Sequence, residues 1–178
     1  YESAYRVGSV FSPGRYPSDA DAPTFVGGTA HDFDPGTGVM NFQRITLPAS
    51  STSRITVQWD QPWYSVSGGD GSDNDVDIYV FDDPVTKVLT GSAGISKGAD
   101  PVEFVSVSND TAEPMTVNLG IFHYDRAGGP APGFIKYIYF DPLTILDFPT
   151  NSSTIYGHAN ATGAGSIAAA IPVLSASP

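Results

Sequence analysis

Oxygen-bearing side chains are the first candidates for chemistry. Asp70, Asp73, Asp75 and Asp77 crowd the stretch Gly68-Gly69-Asp70-Gly71-Ser72-Asp73-Asn74 and the run that follows it. In an extended run, Asp75 and Asp77 point to the same side, with Cα atoms roughly 6.6 Å apart, so both carboxylates can reach one ion. Asp32 and Asp34 would approach from another loop. Ca²⁺ takes six to eight oxygens from carboxylates, carbonyls and water, which makes calcium the expected cofactor. Crowded carboxylates repel one another, and a bound cation would relieve that repulsion. The spacing is not that of an EF-hand loop, because Ile78 stands where the sixth-position glycine belongs and no glutamate follows at the twelfth. A solvated acidic loop edge accounts for the same residues without an ion.

The remaining candidates carry weaker patterns. Trp63 and Tyr64 offer flat apolar faces on which a sugar ring could stack, whereas Trp59 shares a strand face with Ile55 and Val57 and reads as core. The three histidines, His31, His123 and His158, lie far apart and lack metal-ligand spacing. Gly94-Ile95-Ser96-Lys97-Gly98 matches the nucleophile-elbow pattern formally, but that motif needs a strand before it and a helix after it. Here it falls among short β-like runs, where a turn is the ordinary explanation. No motif separates the acidic pairs from ordinary surface carboxylates as glycosidase groups. Three Asn-x-Ser/Thr matches begin at Asn109, Asn151 and Asn160, close to chance for a Ser/Thr-rich chain.

Composition narrows the partners. With 8 basic and 19 acidic residues, the net charge of −11 argues against nucleic acid, whose phosphates need clustered Lys and Arg. A cationic surface or a hard divalent cation suits this balance better. There is no cysteine, which removes disulfides, thiolate chemistry and zinc–thiolate sites. No apolar run approaches the ~18 residues of a membrane-spanning helix. The first residues, Tyr1-Glu2-Ser3, lack the basic and apolar regions of a signal peptide, so the sequence reads as processed or excised.

The elements that must position these residues are short strands. Fifteen prolines and nineteen glycines in 178 residues impose frequent turns. Residues 1–30 read as an irregular arm with one short strand at 5–11. From there, strand-like runs recur at 41–47, 54–59, 75–81, 87–89, 102–107, 115–122 and 134–140. Ile55, Val57 and Trp59 share one face; Val76, Ile78 and Val80 share another. This spacing predicts an all-β fold, a jelly-roll-type antiparallel β-sandwich over 1–150. Residues 151–178 read as a separate, small and apolar C-terminal segment.

Four stretches in order carry a resemblance. They are His31-Asp32-Phe33-Asp34-Pro35-Gly36, Gln58-Trp59-Asp60-Gln61-Pro62-Trp63, Asp73-Asn74-Asp75-Val76-Asp77-Ile78-Tyr79-Val80 and Ile155-Tyr156-Gly157-His158-Ala159-Asn160-Ala161. Together they resemble the β-rich insert of large bacterial subtilisin-like serine proteases, and the third is also similar to the bacterial pre-peptidase C-terminal domain. The resemblance implies secretion to the extracellular space or cell surface, and calcium binding. It implies protease ancestry without activity, because no Gly-Thr-Ser, His-Gly-Thr, Asp-Ser-Gly or Asp-Thr-Gly is present. It also places Ile167, Ala169, Ile171, Val173 and Leu174 in a strand that such proteases bury in their parallel sheet. Without that sheet, the strand must fold back, or pair with a neighbouring copy and so build a filament head to tail. The expectation is a non-catalytic extracellular binding or assembly module, its partners a second copy, a parent protease domain, carbohydrate or a cell surface. The alternative is an accessory fragment of a secreted subtilisin-like protease whose serine lies outside this chain.

Overall fold

Period-two alternation builds the first sheet. β5 (Ser51–Trp59) turns Ser53, Ile55, Val57 and Trp59 inward and leaves Thr52 and Arg54 exposed. β8 (Val102–Asn109) does the same with Glu103, Val105, Val107 and Asn109. β10 (Phe134–Tyr139) lies on the other side of β5, and β1 (Glu2–Ala4) pairs beyond it, giving the order β1-β10-β5-β8. Every pairing in this sheet is antiparallel. The computed structural model describes residues 1–11, 28–124 and 129–152.

The second sheet forms around β9 (Met115–His123). β6 (Val76–Phe81) pairs with β9 residues 118–123. β4 (Gln43–Leu47) pairs with 115–119 and β3 (Gly28–His31) with 122–123. A strand has two edges, so β6 takes one and β4 and β3 divide the other. β7 (Val88–Ser92), β11 (Thr144–Ile145) and β2 (Val7–Phe11) then extend β6, β4 and β3 respectively. From β4 onward every connection except the β6–β7 hairpin crosses between sheets, the winding a jelly-roll expectation requires. The molecule is an all-β antiparallel sandwich.

The core fills the space between the sheets. Ile45, Ile55, Val57, Ile78, Leu119 and Ile121 are fully enclosed there. Each such side chain contributes about 1.5–3 kcal/mol by leaving water.

Some elements were not foreseen. Within the N-terminal arm, β2 falls in the strand expected at 5–11, whereas β1 was not expected; Tyr1 stacks on Tyr137 with ring centroids 5.3 Å apart. A strand of three residues is too short to show a period. β6 is buried on both faces, since Tyr79 and Phe81 pack with Ala30, Phe122, Phe42 and Val88 in a second cluster. β3, β11 and the single turn of α1 (Tyr64–Ser67) were not foreseen. The expected assembly strand, Ile167, Ala169, Ile171, Val173 and Leu174, lies outside the described residues, as do His158 and the fourth resemblance stretch.

Candidate functional site

One end of the sandwich gathers most of the residues with chemical potential. Here β5 ends, β6 begins, β7 ends and β8 begins, so the loops 60–75 and 93–101 meet. Ser72 N–H donates to the Ala99 carbonyl at 2.9 Å, and Gly98 N–H donates to the Ser72 carbonyl at 2.8 Å. Ser65 N–H donates to Asp100 Oδ1 at 2.8 Å, which holds α1 against the second loop. That bond lowers the Asp100 pKa. The approach is close enough to require glycine. A Cβ on Gly71, whose φ is +72°, would lie 2.6 Å from the Gly98 carbonyl carbon. A third segment joins at Gly129, where a Cβ would lie 2.1 Å from the Asp73 carbonyl oxygen.

The base of these loops is polar and buried. Trp59 Nε1 donates to Ser72 Oγ at 3.1 Å, and that hydroxyl donates to the Asn74 carbonyl at 2.8 Å. Ser96 ties two carboxylates together. Its N–H donates to Asp75 Oδ1 at 2.9 Å and its hydroxyl to Glu103 Oε1 at 3.1 Å. Ser92 donates to the other Glu103 oxygen. Asp75, Asp77 and Glu103 are all buried. Burial, then Asp75 and Glu103, push the Asp77 carboxyl up to about 8. Burial also raises Asp75 and Glu103, opposed in each case by the serine hydrogen bonds. At neutral pH Asp77 keeps its proton.

The sequence candidates therefore divide. Asp75 and Asp77 are both buried and interact electrostatically, Glu103 with them, while Asp70 and Asp73 stay exposed on the loop above. Asp32 and Asp34 organise a different loop. Asp32 accepts from the N–H groups of Asp34 and Met40 and pairs with Arg6 at 3.7 Å; Asp34 accepts from Gly36 N–H at 2.7 Å. Among the described residues, no group of three or more His, Cys, Asp or Glu side chains is arranged to hold a metal ion. His31 is enclosed near that second loop, its Nδ1 accepting from Arg6 N–H and its Nε2 facing the Tyr1 hydroxyl at 3.0 Å. Burial pushes its pKa down to about 4, so its ring is neutral.

Ser96, the centre of the elbow-like pattern, lies between two strands with its hydroxyl committed to Glu103. Trp59 is core. Of the two stacking candidates, Tyr64 is the exposed one at 55 %, and Trp63 is half-buried. Val66 and Ile95, at 83 % and 76 %, stand out on the same pair of loops. Glu103 escaped the sequence reading, yet a signal was there: it is in phase with Val105 and Val107, an inward position for a charged residue. No family model matches the chain, and no curated protein is significantly similar to it.

Proposed function

We propose that this chain is a non-catalytic extracellular binding or assembly module that meets its partner with the loop end of the sandwich. The observation that carries the reading is the exposure of Tyr64, Val66 and Ile95 on loops fastened to each other and to a buried polar base. Exposed apolar side chains on a rigidly held loop suit recognition, because little order is lost on binding. The ring of Tyr64 fits the apolar face of a sugar, so a cell-surface polysaccharide is the proposed partner class. The non-catalytic part of the reading is supported by Ser96, whose hydroxyl faces a carboxylate where an elbow serine needs an imidazole. Secretion and kinship with subtilase inserts rest on composition and on the resemblance described above.

The test is co-sedimentation with insoluble polysaccharides such as cellulose, chitin and bacterial cell wall. Wild-type chain is retained on one of them, and Tyr64→Ala weakens retention about tenfold without changing the circular dichroism. Retention indifferent to Tyr64→Ala would rule the surface out. Calcium is proposed as a stabiliser of the same loops, with the exposed Asp70 and Asp73 as its first carboxylates. Millimolar calcium then raises Tm, and the double change Asp70→Asn, Asp73→Asn removes that rise. An equal rise in the double variant would send the ion elsewhere.

A further inference from the structure

A cleft of about 400 Å³ lies on the flank of the sandwich, where the end of β10, β11 and the segment from Pro149 to Ser152 meet. β1 pairs with β10 over Phe134–Lys136, and Tyr1 continues that pairing to Tyr137. The cleft begins there. β10 starts beside Asp60, whose Oδ1 accepts from Gly133 N–H at 2.9 Å, and runs away from the loop end. The cleft is therefore a different surface from the one that carries Tyr64 and Ile95.

Its lining is selective. Among the described residues no charged side chain lines it, in a chain with 8 basic and 19 acidic residues. The carboxylates that flank it in sequence are engaged elsewhere: Asp141 accepts from Arg54 Nε at 2.8 Å, and Asp147 from Arg44 Nε at 2.8 Å. An ion entering the cleft would lose water and gain no partner, so the ligand it suits is neutral. Ile138 and Leu143 give it an enclosed apolar part. Tyr1 and Tyr137 add two rings that cannot turn, since they stack 13° from parallel and their hydroxyls are held, that of Tyr137 by Gln43 and that of Tyr1 at 3.0 Å from His31 Nε2. Tyr139, 41 % exposed, presents a third ring. Thr144 and Asn151 are exposed at the mouth, and Asn151 holds a φ of +48°, a conformation asparagine accepts more readily than most residues.

We propose that this cleft binds one or two rings of a neutral sugar. Its volume falls within the roughly 300–1,000 Å³ of small-ligand sites. A pyranose has an apolar face and a rim of hydroxyls, and the cleft offers the matching halves. Tyr139 lies against the ring, while the Asn151 amide, with both donor and acceptor, and the Thr144 hydroxyl take the sugar hydroxyls at the mouth. A wholly apolar ligand would cover those polar groups without replacing the water they bond. The fixed pair of Tyr1 and Tyr137 keeps the wall in place before the ligand arrives, so little order is lost on binding. This site does not rest on the loop-end reading and stands or falls apart from it.

The test is an NMR titration of the full chain with the methyl glycosides of glucose, galactose, mannose and N-acetylglucosamine. Saturable shifts of the Tyr139, Thr144 and Ile145 amides with at least one of them are expected at millimolar concentrations. Tyr139→Ala, which removes an exposed ring and leaves the core intact, weakens that binding about tenfold, and Tyr64→Ala leaves it unchanged. Circular dichroism reports the fold of both variants. The methyl glycoside of glucuronic acid, the glucose ring with a carboxylate added, binds more weakly than methyl glucoside. No shift at those amides with any glycoside would overturn the proposal, as would an affinity indifferent to Tyr139→Ala. Tighter binding of the glucuronide would refute the neutral ligand, and tighter binding of N-acetylphenylalanine amide than of every glycoside would make the cleft a peptide site. Because Tyr64 and Tyr139 are changed separately, failure at the cleft and failure at the loop end give different results.

Discussion

Ser72 does more for the loop end than its size suggests. Its hydroxyl accepts from the buried indole of Trp59 and donates to the Asn74 carbonyl, while its backbone exchanges two hydrogen bonds with Gly98 and Ala99. Ser72→Ala leaves Trp59 Nε1 buried and unpaired, at a cost of about 1–3 kcal/mol. Urea unfolding should report that loss, and a change below about 0.5 kcal/mol would contradict the assignment. Asp77 gives the molecule a pH dependence whose sign is fixed. Its carboxyl titrates near 4 in an unfolded chain and at about 8 in the folded one, so the folded state retains a proton that the unfolded state releases. The contribution is present in full below about pH 4 and is lost as pH rises to about 8, on the order of 1 kcal/mol per pH unit. Melting in EDTA, where no cation can replace the proton, should show stability falling across that window. Asp77→Asn should flatten the fall. That Asp75 and Asp77 share one side of the chain was legible from their spacing, whereas Glu103 was visible only as a break in the polarity of an otherwise apolar face.

At the scale of elements, the loop end depends on close backbone approach. Gly71 holds a positive φ and faces the backbone of Gly98 and Ala99 at distances no side chain tolerates. Gly71→Ala must push the two loops apart, and we expect a loss of about 2 kcal/mol or more. The exchange protection of the Ser72 and Gly98 amides should fall with it. Unchanged protection would mean that the loops are held by other contacts. Most strands were legible, because β5, β6, β8 and β9 are long enough for alternation and lie between clear turns. β1, β3 and β11 were not, since two to four residues carry no period and owe their pairing to neighbours distant in sequence. The second buried face of β6 was hidden for a related reason. Tyr79 and Phe81 suit an exposed or a covered face equally, and only the arrival of Phe42 and Phe122 covers them.

For the whole molecule, the sequence supported the all-β antiparallel class through turn frequency and strand spacing, and the winding between sheets followed. The proposed contact surface was harder to read. Tyr64 was singled out for its type, but Val66 and Ile95 gained meaning only when the loops carrying them came together. The loop end is the proposed contact surface. A ¹⁵N–¹H NMR titration of the chain with soluble cello- and chito-oligosaccharides tests it most directly. Saturable shifts at Tyr64–Ser67 and at Ile95, with the outer face of β5 unmoved, are the predicted result. Shifts confined to another surface, or none at millimolar concentrations of either sugar, would contradict it.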